Sequence, residues 1–277
     1  MSNTTLNSGA ILSPDDMKEN FLAPLEKKSI AMQVSHVEHA NAGHAALPMM
    51  GKTSAEWLDE GEELTVENVP FNEIRVPHMN AGKLLTATRQ LLNDSAYDLP
   101  TLLSNSLIDA YAELVDKTFF GTTTPKGPKG IESVSGRTIV EADEYSLDPF
   151  LDALGAVEAE RANPRFIVMG PELATKLRKL KVSAGSNQYI LQSDPGSAWR
   201  NTIAGIPVLT CADVAAETAH LIDPDYVFMS VREDVEVEAD ASTFFTSVRT
   251  AIRSFGRIGW VFPRPEKLAA VKFNVTP

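Results

Sequence analysis

Cysteine is nearly missing: Cys211 is the one cysteine in 277 residues. That excludes an intrachain disulfide framework and suits a reducing compartment. Its setting, VLTCADV, reads as a small buried apolar position. No apolar run approaches the ~20 residues that cross a bilayer. The start, MSNTTLNSGAILSPDDMKEN, has neither the basic opening nor the apolar block of a signal peptide. The reading is a cytoplasmic product with no membrane partner. Positive charge is also short, with 25 Lys and Arg against 37 Asp and Glu and a net charge of −12. Such a chain repels nucleic acid over most of its surface, so gripping phosphates is not its main task. Gly-x-Ser-x-Gly, His-Glu-x-x-His and Cys-x-x-Cys are all missing, and no carboxylate pair is marked for acid–base work. The expectation is no enzyme, no cofactor and no metal.

Two weak signals remain. Gly51-Lys52-Thr53 resembles the end of a phosphate-binding loop, but Ala46 stands where the first glycine belongs and Pro48 removes an amide. His36, His39 and His44 with Glu38 could approach a metal, yet their loose spacing is not a closed tetrahedral set. An arm with some polar histidines is the simpler reading.

The composition, 43% hydrophobic and 22% charged, is that of a soluble globular chain with one large domain or two smaller ones. The charges are unevenly placed. Glu56, Asp59, Glu60, Glu62, Glu63, Glu67 and Glu73 stand against Arg75 alone, whereas Arg249, Arg253, Arg257, Arg264, Lys267 and Lys272 stand against Glu266 alone. These strips are either two solvated faces or a pair that meets between subunits.

Along the chain, residues 1–50 read as an extended arm, with at most a short helix over 15–25. ELTVENV and FNEIRVPHM alternate like the two strands of a ribbon. Leu99–Phe120 is expected as a helix about 33 Å long, with Pro100 in its first turn, a stripe through Leu99, Leu102, Leu103, Ser106, Leu107, Ala110, Leu114, Lys117 and Thr118, and Gly121 stopping it at positive φ. Asp109, Glu113 and Asp116 lie largely off that stripe, as candidates to meet basic strands. Helices are expected over 147–161 and in PELATKLRKLK. Strands are expected in PRFIVMG, IAGIPVLT, YVFMSVR and VEVEA, and long strands in TFFTSVRTAIRSFGRIGWVFPRPEKLAAVKF. Phe244, Phe245, Phe255, Trp260 and Phe262 read as core. The class is α+β.

The order of these features resembles the major capsid proteins of tailed bacteriophages with the Hong Kong 97-type fold. The likeness runs through AEWLDEGEEL…VPFNEIRVPHMNAGKLLTATRQLLNDSAYDL, the helix exit DKTFFGTTTPKGPKGI, NPRFIVMGPELATKLRKLK…NQYIL, TIAGIPVLTCADV and VREDVEVEADAS…FFTSVRTAIRSFGRIGWVFPRPEKLAAVKF. The resemblance implies an N-terminal arm over 1–52, an extended loop over 53–78 reaching across an adjacent subunit, and a peripheral domain with spine helix over 79–129. An axial domain over 130–232 and return strands with a C-terminal tail over 233–277 follow. It implies an icosahedral shell of pentamers and hexamers around double-stranded DNA bound without sequence specificity. It also implies a portal, a separate scaffolding protein (Met1 stands at the start of the arm), and room for a decoration protein and a maturation protease, with assembly in the host cytoplasm. Glu56, Asp59, Glu60, Glu62, Glu63 and Glu67 would face Arg249, Arg253 and Arg257 of a neighbour. Some family members weld the shell by a Lys–Asn bond. Here Glu60 stands at the lysine's place and AIRSFGRIG offers no assisting acid, so no crosslinking is expected. The alternative within the same fold is an encapsulin-like nanocompartment shell.

Overall fold

The computed structural model describes residues 22–40, 45–50, 55–60, 63, 71–88, 99–181, 202–232, 236–240 and 242–275. The start of this range is built into the subunit. Helices α1, Ala23–Lys28, and α2, Ile30–Gln33, precede strand β1, His36–Ala40. Leu22, Leu25, Ala31, Met32 and Val34 are buried in one cluster with Leu107, Ile108 and Tyr111. Residues 22–34 are therefore ordered by packing on their own subunit. Helices of six and four residues are too short to show a period. The helix expected over 15–25 overlaps α1 only at its end, and residues 1–21 lie outside the described residues.

Strands β2, Ala45–Met50, and β3, Phe71–Val76, pair antiparallel, from Ala45 opposite Val76 to Met50 opposite Phe71. FNEIRV takes 45–50 as a partner; ELTVENV, the partner expected from the sequence, lies outside the described residues over 64–69. The apolar face decides this register: Leu47 and Val76 pack with Ala40, Phe228 and Val261. Pro77 and His78 interrupt the expected strand, and β4, Met79–Thr88, follows. Gly259 permits the bend, because a Cβ there would fall 2.1 Å from the Pro77 carbonyl oxygen.

Helix α3 spans Leu99–Phe120, the range expected. Its buried arc differs. Leu107, Ile108, Tyr111, Ala112, Val115 and Phe119 are inside, while Leu114 is 44% exposed and Lys117 faces solvent. The helix is covered by both the α1–α2 segment and a sheet, which turns the arc toward Tyr111 and Asp116, polar residues whose partners are supplied internally. Gly121 is not a positive-φ residue. The turn after α3 is closed instead by backbone contact: a Cβ on Gly130 would lie 2.1 Å from the Gly121 carbonyl oxygen. Gly130 donates to the Thr122 carbonyl at 2.9 Å.

Beyond this turn come β5, Thr138–Ala142; α4, Asp148–Ala159; β6, Phe166–Met169; and α5, Pro171–Arg178. Strands β7, Thr202–Ile203; β8, Ile206–Thr210; β9, Thr218–Ile222; β10, Phe228–Arg232; β11, Glu236–Asp240; β12, Arg249–Val261; and β13, Ala269–Phe273, complete the chain. IAGIPVLT is a hairpin and not one strand, since Ala204 and Gly205 both take positive φ, 52° and 80°, as a tight two-residue turn requires. A six-stranded sheet runs β5-β13-β9-β6-β8-β7. A five-stranded sheet runs β1-β10-β12-β11, with β4 on the other side of β12. Helices α4 and α5 cover one face of the larger sheet through Phe150, Val157, Leu173 and Leu177. Its other face meets α3, as Val168 and Ile222 join Phe119, Phe120 and Trp260.

Candidate subunit interface

The acidic strip is solvent-facing where it is described: Glu56, Asp59, Glu60 and Glu63 are exposed, and Glu62 and Glu67 lie outside the described residues. Gly51-Lys52-Thr53 and His44 also lie outside them. His36 and His39 are three positions apart on β1, so they point to opposite faces. His39 Nε2 lies 2.9 Å from Glu26 Oε1, and the His36 ring packs on Phe228. No group of three or more possible metal ligands comes together among the described residues.

Arg249, Arg253 and Arg257 occur at even spacing on β12 and so share one face of the sheet. The other face carries Ile252, Ile258 and Trp260 into the core with α3. Arg249 and Arg253 are exposed and Arg257 is half-buried. Leu84, 55% exposed, is the register partner of Arg253 on β4, and Glu238 is its partner on β11. In the strand register an acidic position of the same chain is thus opposite the middle arginine.

The basic strip shrinks in three dimensions. Lys267 is buried, donating to Tyr226 Oη at 2.8 Å and sitting 4.1 Å above that ring. Lys272 donates to Glu132 at 3.0 Å. Both are used inside the subunit, which leaves the β12 arginines as the outward part. Two acids of α3 also find partners within the subunit. Asp109 pairs with Lys28 at 2.5 Å. Asp116 accepts from Ser29 Oγ at 2.6 Å, Ala31 N at 2.9 Å and Ile30 N at 3.1 Å, capping α2. Burial pushes its carboxyl above the usual range, the hydrogen bonds from Ser29, Ala31 and Ile30 pull it back, and the charge of Asp213 adds to the rise. The expectation that Asp116 meets a basic strand is corrected: it is buried and its partners are Ser29, Ile30 and Ala31, because α3 packs on that segment. Asp109 has Lys28 as its partner and stays exposed. Glu113 is exposed.

Sequence reading missed one polar cluster. Glu132, after α3, lies beside Arg137, His220 on β9 and Lys272 on β13. Glu132 Oε2 accepts from Arg137 at 2.9 Å and from Lys272 at 3.0 Å. Arg137 Nη1 approaches His220 Nδ1 at 3.4 Å, so Nδ1 is the acceptor and the ring proton sits on Nε2, 3.2 Å from Glu132 Oε1. Burial drives the His220 pKa down to about 4, against the pull of Glu132 and with a further push from Arg137 and Lys272. Burial raises Glu132, but the Arg137 hydrogen bond, the charge of His220 and the Lys272 hydrogen bond outweigh it and leave its carboxyl below the ordinary value. Phe120 stacks on His220 with ring centres 6.1 Å apart. The cluster joins the exit of α3 to the six-stranded sheet. It is a fastening in the interior, without an open site where a substrate could bind.

Of the five aromatics expected as core, Trp260 and Phe262 hold the same joint: Trp260 Nε1 donates to the Lys129 carbonyl at 2.8 Å, and Phe119 packs on both. Phe244 and Phe255 are half-buried and join none of the core clusters among the described residues. The model of the phage capsid family matches residues 9–273. The chain belongs to the phage capsid family. No curated protein matches it. Among solved structures, this phage capsid protein is similar to the capsid of an empty GTA particle, at 21% identity, TM-score 0.70, covering 89% of this chain and 90% of that one. A chain of Microbacterium phage Oxtober96 matches at 17% identity, TM-score 0.73, covering 89% and 91%. One of Mycobacterium phage Adephagia matches at 13% identity, TM-score 0.70, covering 90% and 91%. The fold is the Hong Kong 97-type capsid fold, mixed α and β as expected.

Proposed function

We infer that this capsid protein is the major shell subunit of a tailed phage, self-assembling into an icosahedral container for double-stranded DNA. The observation that carries the reading is the family match over residues 9–273. The capsid-like fold over about nine-tenths of the chain agrees with it. The role is structural, its location is the virion capsid, and its first partner is itself, in pentamers and hexamers. A nanocompartment shell is the weaker reading, since the matched family is that of phage capsids. A separate scaffolding protein, a portal, assembly in the host cytoplasm and DNA held without sequence recognition complete the proposal. The net charge of −12 suits a container that must release its genome.

Sheet membership supports a peripheral part built on α3 and the five-stranded sheet, and an axial part built on the six-stranded sheet with α4 and α5. Strand β10 shares the five-stranded sheet and β13 the six-stranded one, which supports grouping β10 with the peripheral part and β13 with the axial one. The arginine face of β12 is proposed as an inter-subunit surface, and Glu60 in place of a lysine supports a shell without covalent welding.

Electron microscopy and sedimentation of the expressed protein test the reading. Closed particles are expected. A chain that stays monomeric at every concentration, alone and with its scaffolding protein, overturns it.

A further inference from the structure

Trp57 is the most exposed large apolar side chain among the described residues, at 102%, and its neighbour Leu58 is 38% exposed. Both sit in 55–60, a stretch in neither helix nor strand. Isolated apolar residues on a surface are ordinary. A tryptophan wholly in water beside a leucine is less so, because tryptophan is concentrated where proteins meet. None of the described residues covers its ring.

A seat of suitable shape lies between α3, β4 and the turn after α3. Met79, Leu114, Pro125 and Pro128 line it, with Ile258 and Trp260 also in its lining. Its volume of about 150 Å³ is the size that holds one aromatic ring. Leu114, which broke the expected stripe by facing outward, forms one wall. Lys126 lies in the same lining, and Lys83 and Lys117 line the adjoining hollow beyond Leu114, where Glu113 is the acid. All three lysines are exposed. The stretch 55–63 carries Glu56, Asp59, Glu60, Glu62 and Glu63 and no base. Apolar pair and acids on one side thus meet apolar hollow and lysines on the other.

We propose that Trp57 and Leu58 of one copy seat in this hollow on a second copy, with the flanking acids facing Lys83, Lys117 and Lys126. The proposal rests on the shell reading and moves the seat of the acidic strip. The arginine face of β12 lies on the far side of the same sheet. Lysines at the rim supply steering, and the ring supplies the anchor.

The test pairs Ala55→Cys, two residues from the anchor, with Thr124→Cys in the lining of the hollow, in particles, joined by mild oxidation or a short bismaleimide; Ala55→Cys with Leu84→Cys, on the arginine face, is the comparison. Cys211 is buried and does not compete. An inter-subunit ladder on a denaturing gel is expected from the first pair and not from the second. Particles that give no ladder from the first pair, or a ladder only from the second, overturn the docking and leave the shell reading intact. Absence of any particle from the unsubstituted chain overturns both. In parallel, Trp57→Ser is expected to lower particle yield at least about tenfold, as loss of an interface anchor does, with an unchanged melting temperature of the unassembled subunit. Trp57→Phe is expected to keep most of the yield. Equal yields from Trp57→Ser and the unsubstituted chain overturn the proposal.

Discussion

The carboxylate of Asp116 holds the hydroxyl of Ser29 at 2.6 Å across 87 positions of sequence. With the amides of Ile30 and Ala31 on the same carboxylate, it is the point at which the start of the described chain is fastened to α3. Asp116→Ala leaves a buried hydroxyl and two amides without their acceptor, each lost bond counting for roughly 1 kcal/mol. The variant is expected to lose about 3 kcal/mol in urea unfolding. Trypsin should also cut faster after Lys27 and Lys28, and an unchanged cleavage rate would show that the segment is held by burial alone.

His220 makes the fold sensitive to acid. Its pKa in the folded subunit, about 4, lies below the unfolded value of ~6.5. Between those values the unfolded chain binds the proton and the folded one does not, so stability falls as pH drops through that window. The window corresponds to about 3 kcal/mol. In His220→Gln this share of the loss is expected to vanish, read as the difference in unfolding free energy between pH 7 and pH 4. Equal losses in both proteins would remove His220 as the cause.

Two glycines give opposite outcomes. Gly130→Ala drives a methyl group into the Gly121 carbonyl, 2.1 Å away. Since backbone must move, about 3 kcal/mol or more of destabilisation is expected. Gly155, inside α4, has nothing within 4 Å of a new Cβ, and Gly155→Ala is expected to stabilise by up to ~1 kcal/mol. Thermal unfolding of both variants checks the pair.

Reversal of Arg249, Arg253 or Arg257 to Glu is expected to reduce particle formation while leaving subunit folding within about 1 kcal/mol, the scale of surface charge pairs. Sedimentation and denaturant unfolding on the same samples separate the two effects. Normal particle yield would take the arginine face out of the interface.

Much of this was legible locally. The limits of α3 follow from its period, and α5 begins where Pro171 follows Gly170. Strand β12 shows its outward arginines at even spacing. Strand β9, TAHLI, was not legible, because a fully buried strand with histidine at its centre has no alternation to read. The Glu132 cluster joins residues up to 140 positions apart, so no local spacing marks it. The turn of α3 toward Tyr111 and Asp116 was hidden for a related reason. Each looks polar in sequence, and each is buried because a distant group satisfies it.

The two sheets are joined by three short crossings: 121–137 from α3 to β5, 223–227 from β9 to β10, and 262–268 from β12 to β13. Each is tied down. Gly130 backs onto Gly121 in the first, Asp223 holds the Asn163 amide in the second, and Lys267 holds the Arg161 carbonyl in the third. A load applied at the β4 edge therefore meets, among the described residues, three tied crossings into the larger sheet. In a closed shell such a subunit transmits strain to its neighbours instead of absorbing it.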